Sequence, residues 1–272
     1  MSFQRRGLLP LDYRPVVYPG SVLRFRGPAH GLARPYVLCL GGSETFGRFV
    51  HAPFAAQLDA ALPLDVVNMG VMNAGLDVLM TDPAIRAART GARAVVLQIP
   101  GAQNMTNRFY SVHPRRNDRF IRANGILRTI YREVDFTEFH FTRHLLSRLM
   151  GLSPDRFALV THELRSAWVA RMTAYLRDAP MPVHLLWLSR RHPDDPDSPQ
   201  TLGPDPLFVT REMLDRVAAA AASLTIAAPE GGQISTGTRG MFFAPREAAA
   251  ARALPGPELH EAAARRLARL LS

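Results

Sequence analysis

Three short loops of small and polar residues are the places where this sequence could carry out chemistry. They are residues 41–47 (GGSETFG), 68–75 (NMGVMNAG) and 100–104 (PGAQN). Each follows an apolar run typical of a buried strand, and in an open parallel sheet the working residues collect just past the carboxyl ends of the strands. Small residues there let backbone amides approach a ligand. We therefore expect the three loops to converge on one site.

The first two loops resemble signature blocks of the SGNH/GDSL hydrolase superfamily. Gly41-Gly42-Ser43 is similar to the Gly-Asp-Ser block, with Gly42 in place of the Asp. Residues 68–73 are similar to Asn-x-Gly-x-x-Gly, with Asn73 at the final glycine and Gly75 two positions further on.

Two further segments extend the resemblance towards the C-terminus. Residues 101–104 (GAQN) are similar to the Gly-x-Asn block with one extra residue, which places Asn104 at the asparagine. Residues 257–260 (PELH) contain the histidine of Asp-x-x-His, His260, but lack the aspartate. The resemblance implies an α/β fold and leaves residues 107–180 unaccounted for.

The resemblance implies a serine ester hydrolase, or an acyltransferase that uses the same machinery. Ser43 would be the nucleophile and His260 the base that removes its proton. The amide of Ser43, an amide of residues 73–75 and the side chain of Asn104 would hold the oxyanion, and one such donor is typically worth about 10²–10³ in rate. The substrate would be an acyl ester of a small molecule or glycan, with an anionic group favoured by the arginine-rich surroundings.

Simpler accounts exist for the same residues. Ser43 is also a typical helix cap, His260 a typical exposed residue at a helix start, and Asn104 a typical turn former. Because the Asp of the last block is missing, the alternative is a non-catalytic protein that binds a carbohydrate or anionic ligand in the same cleft. Asp77 and Asp82 are predicted helix caps rather than a triad acid.

Five further residues are predicted to contact the substrate. They are Gly42, Glu44, Gly70, Gln103 and Arg108. The last begins a segment that alternates arginine with aromatics, residues 108–116 (RFYSVHPRR), which suits a lid or an anion-binding rim. A solvated basic face is the simpler account of that segment.

The elements that must position these loops alternate along the chain. Predicted strands at 36–40, 64–68, 94–99, 183–188 and 224–228 are separated by helical patterns, for example at 54–62, 76–90 and 258–271. This alternation predicts a three-layer, doubly wound, flavodoxin-like α/β fold with a five-stranded parallel sheet. We expect an irregular lead-in over residues 1–35, then one SGNH-like domain over 36–272 with a helical insertion at about 107–180.

Composition narrows the classes of function. All 33 basic residues are arginine, which excludes a P-loop lysine and a pyridoxal Schiff base. The net charge of +10 favours anionic partners, but the arginines form no nucleic-acid-binding motif, so no nucleic acid is expected.

With a single cysteine, Cys39, and no ligand spacing among nine histidines, we expect no metal and no cofactor. No apolar run is long enough for a membrane span, and a cytoplasmic location is expected. The oligomeric state is not predicted.

Overall fold

The computed structural model describes residues 11–196, 201–229 and 237–272. Its centre is a five-stranded, wholly parallel sheet in the order β2-β1-β3-β6-β7. These strands are β1 (Tyr36–Gly41), β2 (Asp65–Gly70), β3 (Ala94–Gln98), β6 (Val183–Leu188) and β7 (Ser223–Ala227). Counted within the sheet, this order is that of doubly wound flavodoxin-like folds. The predicted fold class is confirmed, and the carboxyl end of β1 lies between those of β2 and β3.

Helices cover both faces of the sheet. They are α1 (Ser43–Phe46), α2 (Phe54–Ala61), α3 (Leu76–Thr81), α4 (Pro83–Gly91), α5 (Gly125–Ile130), α6 (Thr142–Leu152), α7 (Pro154–Arg177), α8 (Arg211–Ala218), α9 (Ala248–Ala253) and α10 (Pro257–Leu271). Helices α2 and α10 pack on one face through apolar side chains such as Leu58 and Leu267. Helices α3, α4, α7 and α8 pack on the other, which makes three layers.

Strand β1 shows how the sheet joins the two layers. Its six residues are all buried, as expected for a strand covered on both faces. Cys39 packs towards α2 and α10, whereas Leu38 and Leu40 pack into the larger core. Burial raises the pKa of the Cys39 thiol. The cysteine is therefore an apolar core residue, as its position in the strand predicted.

The segment between β3 and β6 is not purely helical. It begins with an antiparallel hairpin, β4 (Tyr110–His113) and β5 (Arg116–Ala123), before α5, α6 and α7. The sequence pattern predicts only helices here, because β4 is short and β5 (RNDRFIRA) has arginine at three of its four exposed positions. Helix α7 anchors the segment to the sheet, since Trp168 Nε1 donates to the carbonyl of Pro100 at 2.9 Å.

The two aspartates predicted as helix caps have different roles. Asp82 does cap α4, because its Oδ1 accepts from the amides of Ala84 at 3.0 Å and Ile85 at 3.1 Å. Asp77 instead accepts from the Thr106 amide at 2.8 Å and from Arg171 Nη1 at 2.7 Å. The cap prediction for Asp77 was wrong, because its carboxylate ties α3 to α7 and to the chain after β3.

The described part of the lead-in, residues 11–35, contains one isolated bridge, between Val16 and Phe25. Its Arg26 donates to the carbonyl oxygens of Gly47 and His51, each at 2.7 Å, and so reaches the chain that follows α1. Residues 229–245, whose glycine-rich sequence predicts a loop, lie partly outside the described residues. In the described ranges, no helix is both long enough and apolar enough to cross a membrane.

Candidate functional site

The three loops of small and polar residues come together around a cavity of about 180 Å³. It opens at the carboxyl ends of β1 and β3, where doubly wound sheets bind ligands. The polar residues that line it are Ser43, Glu44, Arg48, Asn73, Gln98, Gln103, Asn104 and Asp205. Gly42 and Gly101 also line it, together with Ala250, Ala253 and Leu254 from the α9 region. This cavity is called the cleft below.

Ser43 lines the cleft and is the first residue of α1. Its side chain caps no helix: the capping position is Gly42, which makes no side-chain cap bond. Instead Ser43 Oγ accepts from the backbone amide of Asn73 at 3.1 Å and donates to Asn73 Oδ1 at 3.4 Å. Asn73 adopts a left-handed backbone conformation, with φ of 59°, which asparagine tolerates better than most residues. The second loop thus presents both its amide and its side chain to the serine.

Gly70 and Gly75 are packing residues rather than lining residues of the cleft. A Cβ on Gly75 would lie 1.7 Å from the carbonyl oxygen of Asn104, and one on Gly70 would lie 2.3 Å from the amide nitrogen of Phe46. The Gly75 amide donates to Asn117 Oδ1 at 2.9 Å. The predicted substrate contact of Gly70 and the predicted oxyanion role of the Gly75 amide find no support in this arrangement, because each glycine is buried at a close contact between segments of the chain.

Asn104 and Gln103 present opposite chemistry to the cleft. Asn104 Oδ1 accepts from Thr142 Oγ1 at 2.7 Å, which orients the amide and leaves Nδ2 without an acceptor among the described residues. Gln103 Nε2 donates to Asp205 Oδ1 at 2.6 Å. Gln103 Oε1 is buried and has no donor in the described part of the chain. The third loop therefore offers one free donor and one unsatisfied acceptor.

Two carboxyl groups stand in the same cleft. Burial, together with the nearby charge of Asp205, raises the pKa of Glu44 to about 7. Among the described residues Arg48 is the one basic side chain in the lining, and its Nη2 lies 3.0 Å from Glu247 Oε1. Its positive charge is therefore already paired.

Three of the polar lining residues were not predicted from the sequence: Gln98, Arg48 and Asp205. Asp205 lies in the loop that follows β6. Polar residues in such loops, past the carboxyl ends of parallel strands, are candidates for a site, so the sequence could have indicated Asp205 in the same way as the first three loops. Gln98 is a polar residue at the end of an apolar strand. Its Oε1 accepts from the Gly42 amide at 2.8 Å and so holds the first loop in place.

His260 does not meet Ser43. It lies in the first turn of α10 with 1% of its surface exposed, and its Nδ1 accepts from the Phe54 amide at 3.1 Å. The ring stacks on that of Phe54 with 6.2 Å between centroids. Burial, and secondarily the positive charge of Arg26, lowers the pKa of His260 to about 3.

A neutral imidazole that accepts at Nδ1 carries its proton on Nε2, so it has no lone pair left to take a proton from serine. Within the described ranges His260 neither lines the cleft nor hydrogen-bonds Ser43. The predicted role of His260 as the base stays a prediction, and this geometry does not support it.

Arg108 lies away from the cleft. Its side chain is 72% exposed, and Nε lies 3.6 Å from Glu163 Oε2. This placement matches the simpler account, a solvated basic residue. An anion-binding rim around Ser43 would require Arg108 to line the cleft, and it does not.

One cluster among the described residues has the spacing of metal ligands. His30, Asp59 and Asp65 each place one ligand atom within 4.8 Å of the others. Asp65 is the first residue of β2, so the cluster lies at the opposite end of that strand from the cleft. None of the three lines the cleft.

Comparison with known proteins gives a family but no activity. Two solved structures resemble the chain: the lipase Lip_vut3 from a goat rumen metagenome and LAE5, an alpha/beta hydrolase enzyme from the metagenome of Lake Arreo, Spain. The lipase is 13% identical with a TM-score of 0.39, over 88% of this chain and 98% of that one. LAE5 is 14% identical with a TM-score of 0.44, over 88% and 96%.

Both likenesses are too distant to carry a functional argument, and the SGNH resemblance stays a prediction. No curated protein matches the chain. A family model described as a domain of unknown function, DUF6473, matches residues 1–272. Because that match spans the whole sequence, the chain belongs to the DUF6473 family.

Proposed function

We propose that the cleft binds a small, hydroxyl-rich ligand of the carbohydrate class, without using Ser43 as a covalent nucleophile. One observation carries the proposal: the hydroxyl of Ser43 is paired with Asn73, while His260 is held by Phe54. A serine hydroxyl without a base is a weak nucleophile, but it remains a good hydrogen-bonding group.

The chemistry of the lining supports a ligand with many hydroxyl groups. Sugar hydroxyls both donate and accept, and the cleft offers both kinds of partner. Asn104 Nδ2 is a free donor, Asp205 is an acceptor, and Ser43 is able to act as either. At about 180 Å³ the cleft is smaller than the roughly 300–1,000 Å³ of sites for drug-sized ligands. A single sugar ring is the size of ligand that this volume favours.

A second candidate is ester hydrolysis or acyl transfer at Ser43, as the SGNH resemblance implies. Two observations favour it. The amide of Asn73 and the free Nδ2 of Asn104 border the same cleft as the serine, as oxyanion donors must. Glu44, with its pKa raised to about 7, is suited to acid–base chemistry at neutral pH. The substrate would then be an acyl ester of a small molecule or glycan.

The experiment that tests the proposal combines ligand binding with a covalent probe. Saturation-transfer NMR against a panel of monosaccharides measures binding to the wild type and to Ser43→Ala. Ser147→Ala, on the exposed face of α6, is the matched control. We expect Ser43→Ala to bind the same sugars with an affinity reduced by about tenfold at most, the effect of one lost hydrogen bond.

A fluorophosphonate probe separates the two candidates. The proposal expects no labelling of the wild type, because among the described residues the hydroxyl of Ser43 is hydrogen-bonded only to Asn73 and no histidine reaches it. Labelling that disappears in Ser43→Ala but persists in Ser147→Ala would overturn it and establish the acyl-transfer candidate. Absence of both labelling and sugar binding would overturn both.

A further inference from the structure

We infer that the cleft selects ligands rich in hydrogen-bond donors, best of all a sugar that carries an ammonium group, and discriminates against anionic ligands. This inference rests on the proposed function, because it names the class of carbohydrate that the same site takes. It departs from the expectation of an anionic ligand that the net charge of the chain suggested.

The first support is the charge at the cleft itself. Glu44 and Asp205 both line it, and Arg48 is the single basic residue in the described lining. Arg48 is paired with Glu247 at 3.0 Å, so an incoming anion would have to compete with a carboxylate for it. The net charge of +10 belongs to the whole chain, whereas a bound ligand responds to the charges a few ångströms away.

The second support is that the two carboxyl groups influence each other. The charge of Asp205 contributes to the raised pKa of Glu44, which means that Glu44 lies in the negative field of Asp205. Arg143 Nη2 lies 3.5 Å from Asp205 Oδ2, and because the two side chains are 44% and 42% exposed, solvent weakens this ion pair. A ligand cation placed between the two carboxyl groups would relieve their repulsion. A ligand carboxylate would increase it.

The third support is an unsatisfied acceptor in the wall of the cleft. Gln103 is 2% exposed and its Nε2 donates to Asp205, so Oε1 is the part of the amide that has no partner among the described residues. Gly101, another lining residue, lies beside that oxygen: a Cβ on Gly101 would come within 2.1 Å of it. A buried acceptor without a donor destabilises the ligand-free protein. A ligand N–H or O–H that reached this oxygen would remove part of that destabilisation.

The test compares three probes that share one ring: glucosamine, glucose and glucuronate, with the matching galacto and manno series. Isothermal titration calorimetry at neutral pH and low ionic strength measures their affinities. We expect the amino sugar to bind about tenfold more tightly than the neutral sugar, the gain of one charge-assisted hydrogen bond, and the uronate to bind most weakly.

Asp205→Asn removes one charge at constant size, and Glu44→Gln removes the part of a charge that Glu44 carries at neutral pH. Each is expected to bring the ratio of amino-sugar to neutral-sugar affinity close to one. Asp215→Asn, on the exposed face of α8, is the matched control and is expected to keep the ratio. Two carboxyl variants keep the test decisive if one of them fails to fold.

The outcomes separate the inference from the proposed function. Uronates that bind as tightly as amino sugars, or a ratio that survives both carboxyl variants, would overturn the inference and leave sugar binding intact. If no sugar of any series bound, the proposed function would fall and the inference with it.

Discussion

The backbone amide of Phe54 and Nδ1 of His260 are joined by a 3.1 Å hydrogen bond that spans 206 positions of the sequence. The bond ties the start of α2 to the start of α10, the two helices that cover one face of the sheet. Because Phe54 and His260 are both buried, this polar contact has no competition from water. His260 is thus a structural residue in this arrangement, and the consequence is measurable.

His260→Asn is expected to change how stability depends on pH. The pKa of His260 is lowered to about 3 in the folded chain from an ordinary value of 6.5, so between these values the unfolded chain binds the extra proton. Stability from this group is therefore complete above about pH 6.5 and is lost as the pH falls towards 3. At pH 5 the loss amounts to about 2 kcal/mol.

Asparagine places an acceptor where Nδ1 stands but does not titrate, so the variant is expected to lack this loss. Urea unfolding of both proteins at pH 7 and pH 5 measures the difference. Equal losses in wild type and variant would show that His260 is not buried as a neutral acceptor.

Glu44→Gln is expected to have the opposite effect on the pH dependence of stability. The pKa of Glu44 is raised from 4.5 to about 7, so between these values the folded chain holds a proton that the unfolded chain has released. Stability from this group is complete below about pH 4.5 and declines as the pH rises through 7. The glutamine variant removes that decline.

Carbon-13 NMR of the Glu44 carboxyl group follows its titration directly. In Asp205→Asn the pKa of Glu44 should move down towards its ordinary value, because one cause of the raised pKa is gone. Asp215→Asn should leave it where it is in the wild type. A Glu44 that titrates near 4.5 in the wild type would contradict the influence of burial and of Asp205 on its carboxyl group.

Gly75→Ala is expected to destabilise the fold by about 2–3 kcal/mol, as overpacking does. The added Cβ would lie 1.7 Å from the Asn104 carbonyl oxygen, so the second and third loops would have to separate. Gly125→Ala is the matched control, since a Cβ there meets nothing within 4 Å. Thermal unfolding compares the two, and equal stability would mean that the loops are not in contact.

Thr142→Val is expected to weaken sugar binding by about three- to tenfold with little change in stability. Thr142 Oγ1 orients Asn104 by donating to its Oδ1 at 2.7 Å, so Thr142 is a positioning residue. Valine keeps the shape but removes the donor, which allows the Asn104 amide to rotate. Thr142→Ser should restore affinity because it keeps the hydroxyl. Binding unchanged in Thr142→Val would show that Asn104 does not contact the ligand.

The central sheet was predictable because its strands are local patterns. Apolar runs such as YVLCL and AVVLQI end at glycine or proline, and their alternation with helical spacing implies a parallel sheet whatever the details of packing. The same reasoning located the cleft, since the three loops follow adjacent strands. Strand β5 was not predicted, because its sequence is rich in charged residues and contains no apolar run.

By itself, the sequence determined the fold class, the edge of the sheet where polar loops meet, and the exclusion of lysine chemistry. These follow from residue types and from periodicities of a few residues. Only the tertiary structure decided which residues interact. His260 accepts a hydrogen bond from Phe54, the charge of Asp205 raises the pKa of Glu44, and Gly75 packs against Asn104. Such pairings join residues far apart in the chain, and burial then sets their protonation. Neither these pairings nor this burial exists until the helices and the sheet have packed.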